Sequence, residues 1–120
     1  MVSTEILIIG AGPAGMMAAI YAKRANREVV LLDKNTPGGR LHSTYEVDNY
    51  LGFGKVTAQE LIEKMVNHLW DLGIAVTQAT VASLDPTGSG FLIKTDNETY
   101  HARAVRSEER RVGKECRSRW

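Results

Sequence analysis

The sequence predicts an α/β domain, a parallel sheet with helices built on a βαβ unit and continued by a small β-meander. Three observations predict it. Glu5-Ile6-Leu7-Ile8-Ile9 is a short apolar run that ends at Gly10. A three-and-four spacing of apolar residues begins at Pro13, and a second run, Val29-Val30-Leu31-Leu32, ends at Asp33. The three fit within about 30 residues, the size of a strand–helix–strand crossover.

Continuous apolar runs of this length fit strands buried on both faces, as in a parallel sheet. Ala14, Met17, Ala18, Tyr21, Ala22 and Ala25 share one helical face, and their small side chains let the helix lie close to the sheet. Residues 34–56 show no helical period and contain Pro37, Gly38, Gly39, Gly52 and Gly54, which reads as a structured loop. Loops this long in a small domain are usually functional. Thr57-Ala58-Gln59-Glu60 has the form of a capping box, followed by an apolar stripe of Leu61, Ile62, Met65, Val66, Leu69 and Trp70. Gly73 is placed to end that helix. Ile74 to Val76 reads as a third strand. Thr80 to Leu84, Gly90 to Thr95 and Thr99 to Ala104 form the meander, interrupted by Asp85-Pro86-Thr87-Gly88 and Asp96-Asn97.

A chain of 120 residues has room for one domain, and its 43% apolar and 24% charged residues place it with ordinary globular proteins rather than membrane or disordered ones. Met1 to Thr4 lead into the first strand with no basic leader, so a cytoplasmic location is expected. Residues 1–105 hold 9 Lys/Arg against 11 Asp/Glu, whereas residues 106–120 hold 6 against 3. The basic excess is thus confined to the tail, and nothing in the body points to nucleic acid. Cys116 is the only cysteine, which excludes a disulfide within the chain. His42, His68 and His101 show no metal-ligand spacing, and no metal or catalytic residue is expected.

Gly10-Ala11-Gly12-Pro13-Ala14-Gly15 satisfies G-x-G-x-x-G. Gly10 makes the turn out of the strand, Gly12 lets backbone approach a pyrophosphate, and Gly15 lets the helix pack closely. Pro13 suits the first helical position, where its missing N–H is not needed. The free amides of that first turn then face the phosphates. The bare motif is also met as a plain strand-to-helix turn. Its context argues for a dinucleotide: a buried strand precedes it, a helix follows, and Asp33, 18 residues past Gly15, is placed to grip a ribose hydroxyl.

The fingerprint by itself does not separate FAD from NAD. Further motifs do: Tyr21-Ala22-Lys23-Arg24-Ala25-Asn26, Pro37-Gly38-Gly39-Arg40-Leu41 and Glu46-Val47-Asp48-Asn49-Tyr50-Leu51-Gly52-Phe53. Together with the glycine turn they make the chain, from about residue 4 to 105, resemble the thioredoxin reductase family. These are class II pyridine nucleotide-disulfide oxidoreductases, related to the flavin subunit of alkyl hydroperoxide reductase and to ferredoxin/flavodoxin-NADP reductases. The resemblance implies a truncated Rossmann-like FAD-binding domain over residues 1–105. Gly38, Gly39, Arg40 and Leu41 would wrap the flavin, Asn49 would lie near its ring system, and the Val81 backbone would meet the adenine. Lys34, Pro13 and Ala14 join the implied cofactor-binding set. Two positions depart from the family pattern: Asp33 where Glu is usual, and Arg40 where Gln is usual. Arg donates only and carries a fixed charge.

The resemblance further implies a whole protein that takes hydride from NADPH onto FAD and passes electrons to a disulfide of thioredoxin or a similar acceptor, as a homodimer. The NADPH domain with its Cys-x-x-Cys pair and the returning FAD segment would lie beyond these residues. This chain on its own is expected to be inactive and poorly folded, to leave an open apolar face, and to hold FAD weakly or not at all. A dithiol-free ferredoxin/flavodoxin-NADP reductase relative and a non-catalytic FAD-binding redox sensor are the alternatives. A generic NAD-dependent dehydrogenase would leave the Gly38 to Leu41 and Glu46 to Phe53 motifs without a purpose.

At Arg106 the family pattern stops. Arg106-Ser107-Glu108-Glu109-Arg110, and the residues to Trp120, resemble the translation of a common sequencing adapter. Residues 106–120 are accordingly expected to be an artefactual or disordered tail rather than part of the domain.

Overall fold

The computed structural model describes residues 1–39 and 45–107. In chain order the elements are β1 (Val2–Ile9), α1 (Pro13–Arg24), β2 (Val29–Asp33), β3 (Glu46–Val47), β4 (Val56–Thr57), α2 (Ala58–Asp71), β5 (Val76–Gln78), β6 (Val81–Thr87), β7 (Gly90–Thr95) and β8 (Thr99–Ser107). One sheet has the order β5-β2-β1-β8-β7-β6, and β3-β4 form a separate ladder. The strands β5, β2, β1 and β8 run parallel, whereas β6, β7 and β8 pair antiparallel as the expected meander.

Successive residues of β1 point to opposite faces, and both faces are buried. Ile8 joins Leu31, Met16, Ala19, Leu69 and Ile74 beneath the helices. Leu7 and Ile9 join Leu32, Ala79, Leu84, Ile93, Tyr100 and Ala102 on the other side. That second cluster unites residues from opposite edges of the sheet. Only Ala79 and Thr80 separate β5, at one edge, from β6, at the other. So short a link forces the sheet to curl, and the meander folds over the face that carries Leu7 and Ile9. Gly90 makes its part of this packing possible. Its φ is +151°, and a Cβ there would run into the Ala102 carbonyl.

Both helices end in Schellman motifs. Ile74 N–H donates to Leu69 C=O at 2.9 Å and Gly73 N–H to Trp70 C=O at 3.0 Å, with Gly73 at φ +80°. Asn26, at φ +62°, plays the same part for α1. At the start of α2, Thr57 Oγ1 accepts from the Glu60 amide at 3.1 Å, as the capping box requires. The return arm differs from expectation. The Thr57 hydroxyl donates to the Glu60 carboxylate at 2.9 Å, a side-chain bond in place of one to the backbone.

Several expected positions shift. The buried face of α1 is Gly15, Met16, Ala19 and Ala22, while Ala14, Met17, Tyr21 and Ala25 are exposed. Apolar residues occupy nearly every position from 14 to 22, so the spacing fits more than one face, and packing against the sheet selects the one that carries Met16 and Ala19. Trp70 is 71% exposed although it belongs to the apolar stripe, because α2 buries the Leu61–Leu69 line and Trp70 lies beside it. The third strand is displaced to Val76–Gln78, and Ile74 instead packs against the helix end. β6 runs through Pro86 to Thr87, which an edge strand tolerates, and the turn falls at Gly88-Ser89. The exposed large apolar side chains include Met17, Tyr21, Tyr45, Tyr50, Leu51 and Trp70, whereas the strand residues Leu7 to Ile9 are covered. β8 continues to Ser107, pairing Arg106 with Ile8 and Ser107 with Ile9, two residues past the change in composition. Ladder bonds use only backbone, so a change of side chains does not stop them.

Candidate functional site

The parallel strands follow the order 3-2-1-4, with β1 central and its chain neighbour β2 on one side, β8 on the other. In such sheets ligands bind beyond the carboxyl end of the strand where the order reverses, here β1. Gly10 occupies that position. Its φ is +111°, and its N–H donates to Leu32 C=O at 2.7 Å, so the turn stays tied to β2 as it leaves the sheet. Gly12 is the N-cap of α1 in extended conformation (φ −76°, ψ −179°), with no side chain to cap the helix. Pro13 takes the first helical position. The first helical bond runs from Met16 N–H to Gly12 C=O at 2.9 Å, so the amides of Ala14 and Gly15 precede the ladder and suit an anion. Gly15 is buried against the sheet, as its place in the motif requires.

Asp33 closes β2 and is only 8% exposed. Its Oδ2 accepts from the Ala11 amide at 2.7 Å and its Oδ1 from the Asn35 amide at 2.8 Å. Gly38 N–H donates to Ala11 C=O at 2.9 Å. The residue between the two motif glycines is therefore held at both ends, by the acid of β2 and by the second glycine loop. Gly39 lies so close that a Cβ on it would sit 3.0 Å from the Gly12 Cα, and its φ of +57° disfavours any side chain. The two glycine-rich segments thus pack backbone against backbone. A cradle lined this way fits a pyrophosphate with a sugar beside it, since amide donors and one buried acid converge where no side chain intrudes.

The other expected residues are placed more loosely. Lys34 is exposed, and its carbonyl accepts from Gln78 Nε2 at 3.3 Å. Val81 lies two residues beyond Ala79, whose N–H donates to Asp33 C=O at 2.9 Å, and its half-buried side chain packs into the cluster with Leu32 and Ala79. This brings its backbone to the Asp33 end of the sheet. Asn49 is exposed and lies outside the cradle, two residues after β3, on a loop that the β3–β4 ladder and α2 support. Arg40, Leu41 and His42 lie outside the described residues. Ala11 and Asn35 were not singled out from sequence. They take part through backbone amides, and the only signal for Ala11 was its position between two glycines.

A family comparison decides what this cradle belongs to. The family model described as pyridine nucleotide-disulphide oxidoreductase matches residues 4–109. The chain belongs to this family. Within it, the chain is 40% identical over 95 residues to a thioredoxin reductase of Mycoplasma genitalium, covering 79% of this chain and 30% of that protein. It is 36% identical over 101 residues to a thioredoxin reductase of Bacillus subtilis, covering 84% and 32%. A thioredoxin reductase structure from T. acidophilum superposes with a TM-score of 0.83 at 35% identity, over 89% of this chain and 35% of that one. The chain therefore spans about a third of the length of these pyridine nucleotide-disulphide oxidoreductase relatives. Among the described residues no helix is long and apolar enough to cross a membrane, and no group of three His, Cys, Asp or Glu could hold a metal ion.

Proposed function

We propose that residues 1–105 form the part of a thioredoxin-reductase-like flavoprotein that binds the adenine dinucleotide portion of FAD. The observation that carries this is the double tether of Ala11, to Asp33 and to Gly38, at the carboxyl end of the central strand. In this reading Gly10, Gly12, Pro13, Ala14 and Gly15 present helix-start amides to the pyrophosphate. Asp33 and Lys34 border the ribose, and the Val81 backbone borders the adenine. Gly38 and Gly39, with Arg40 and Leu41, lead toward the flavin, and Asn49 contacts it. When bound, FAD supplies a two-electron acceptor between a nicotinamide and a disulfide. The residues of this chain bind and orient it and keep side chains out of the pyrophosphate's way.

For the whole protein we propose NADPH as electron donor, thioredoxin or a similar disulfide protein as acceptor, a homodimer, and a cytoplasmic location. The names of the relatives and the FAD-site motifs support this reading. We read residues 106–120 as foreign to the domain, on the strength of their basic composition and their adapter-like order. Re-reading the source DNA from codon 95 onward tests that. An apolar strand ending Ala-Thr-Gly after Val105 is expected, and intact Arg106 to Arg110 codons would refute it. FAD binding is tested on the protein continued to full length. Stoichiometric flavin, lost on Gly12→Val, is expected there, and absence of flavin would overturn the reading. The 120-residue chain alone is expected to hold FAD weakly or not at all.

A further inference from the structure

We propose that Asp33 is a positioning residue that latches the glycine turn in its pyrophosphate-accepting shape, so that binding of the phosphates depends on it independently of any ribose contact. The inference rests on the dinucleotide-binding reading and deepens it.

Both carboxylate oxygens are engaged by the protein itself, Oδ2 by the Ala11 amide at 2.7 Å and Oδ1 by the Asn35 amide at 2.8 Å. Bonds from amides to a carboxylate are short and about twice as strong as neutral ones. The Ala11 side chain is fully buried, and its carbonyl is held by Gly38. Removing the carboxylate would leave a buried amide unpaired in the middle of the turn, which is costly enough to rearrange it. The Ala11 N–H points at Asp33, so the donors left for phosphate are those that follow it in the chain. Side-chain length matters as well. An aspartate, one methylene shorter than glutamate, keeps its charge at the turn instead of extending it toward a ligand. Each oxygen retains a further lone pair, so a ribose contact is permitted but is not the main task.

The test uses two probes on the full-length protein freed of FAD, with its nicotinamide site saturated by NADP+: ADP, and 2′,3′-dideoxy-ADP, which lacks the hydroxyls a ribose-gripping acid would hold. Wild-type affinities for the two are expected to differ by less than about threefold, and Asp33→Ala is expected to weaken both by about tenfold. Loss of ADP affinity with dideoxy-ADP affinity unchanged would assign Asp33 to the ribose alone and overturn the proposal. Amide hydrogen exchange gives a readout that needs no ligand. The Ala11 amide, compared with Gly10 in the same molecule, is expected to exchange about tenfold faster in Asp33→Ala, with Gly10 unchanged. Equal exchange at Ala11 in the two proteins would also overturn it. If neither nucleotide binds the wild type, the dinucleotide reading fails, and exchange at Ala11 decides the latch by itself.

Discussion

The segment from Gly10 to Gly39 and the segment from Tyr45 to Thr57 both carry motif residues, yet the protein holds them very differently. In the first, Asp33 and Gly38 grip the same peptide unit, and Gly39 packs on Gly12. In the second, Asn49 and Leu51 stand in solvent, Leu51 at 98% exposure, on a loop anchored by a two-residue ladder and by Val47, Ala58 and Leu61. The contrast teaches that the segment proposed to hold the pyrophosphate is organised by this chain's own backbone. The Asn49 end depends on an outlying support that can be removed separately.

That separation can be broken or sharpened by substitution. The largest stability loss is expected from Leu61→Ala, which empties the buried centre beneath the β3–β4 ladder and should cost about 2–5 kcal/mol. Denaturant unfolding measures it, and the independence of the two regions requires Ala11 exchange relative to Gly10 to stay unchanged. Gly39→Val is expected to act on the other region. A left-handed backbone costs a side chain about 1–2 kcal/mol, and the added bulk pushes against Gly12. ADP affinity should fall by tenfold or more, on the order of 1.4 kcal/mol; unchanged affinity would show that the two glycine segments do not depend on one another. Thr57→Ala removes the N-cap of α2 and should cost about 1 kcal/mol in the same unfolding assay. Asn49→Ala should change stability by less than about 0.5 kcal/mol and leave ADP affinity alone, its effect being confined to flavin.

The smallest effect lies far from both regions. Glu5 accepts from the Glu28 amide and pairs with Arg27, and these contacts hold its carboxyl below the usual 4.5. A folded-state pKa below the unfolded value means that this support is present above pH 4.5 and is lost as pH falls through the lowered value. Glu5→Gln should therefore flatten the acid limb of a stability–pH profile slightly and leave the profile near neutrality almost unchanged.

Much of the fold was legible because its signals are local. The apolar runs around Ile8 and Leu31, the glycine turn, the Thr57 cap and Gly73 each act within a few residues of chain, so sequence order alone carries them. The buried face of α1 was not legible, since Met16 and Met17 are equally apolar and only the neighbouring sheet distinguishes them. Trp70 misled for the related reason that an apolar side chain in a stripe is buried only if another element covers it.

By itself the sequence determined a βαβ unit, a glycine-rich strand-to-helix turn and an acid 18 residues on, because turn chemistry and side-chain period are properties of neighbouring residues. Tertiary structure decided what those residues do with one another. The two-residue link from β5 to β6 curls the sheet and closes its second face. Asp33 and Gly38 meet at Ala11, the first through a bond between residues 22 positions apart that no local pattern encodes.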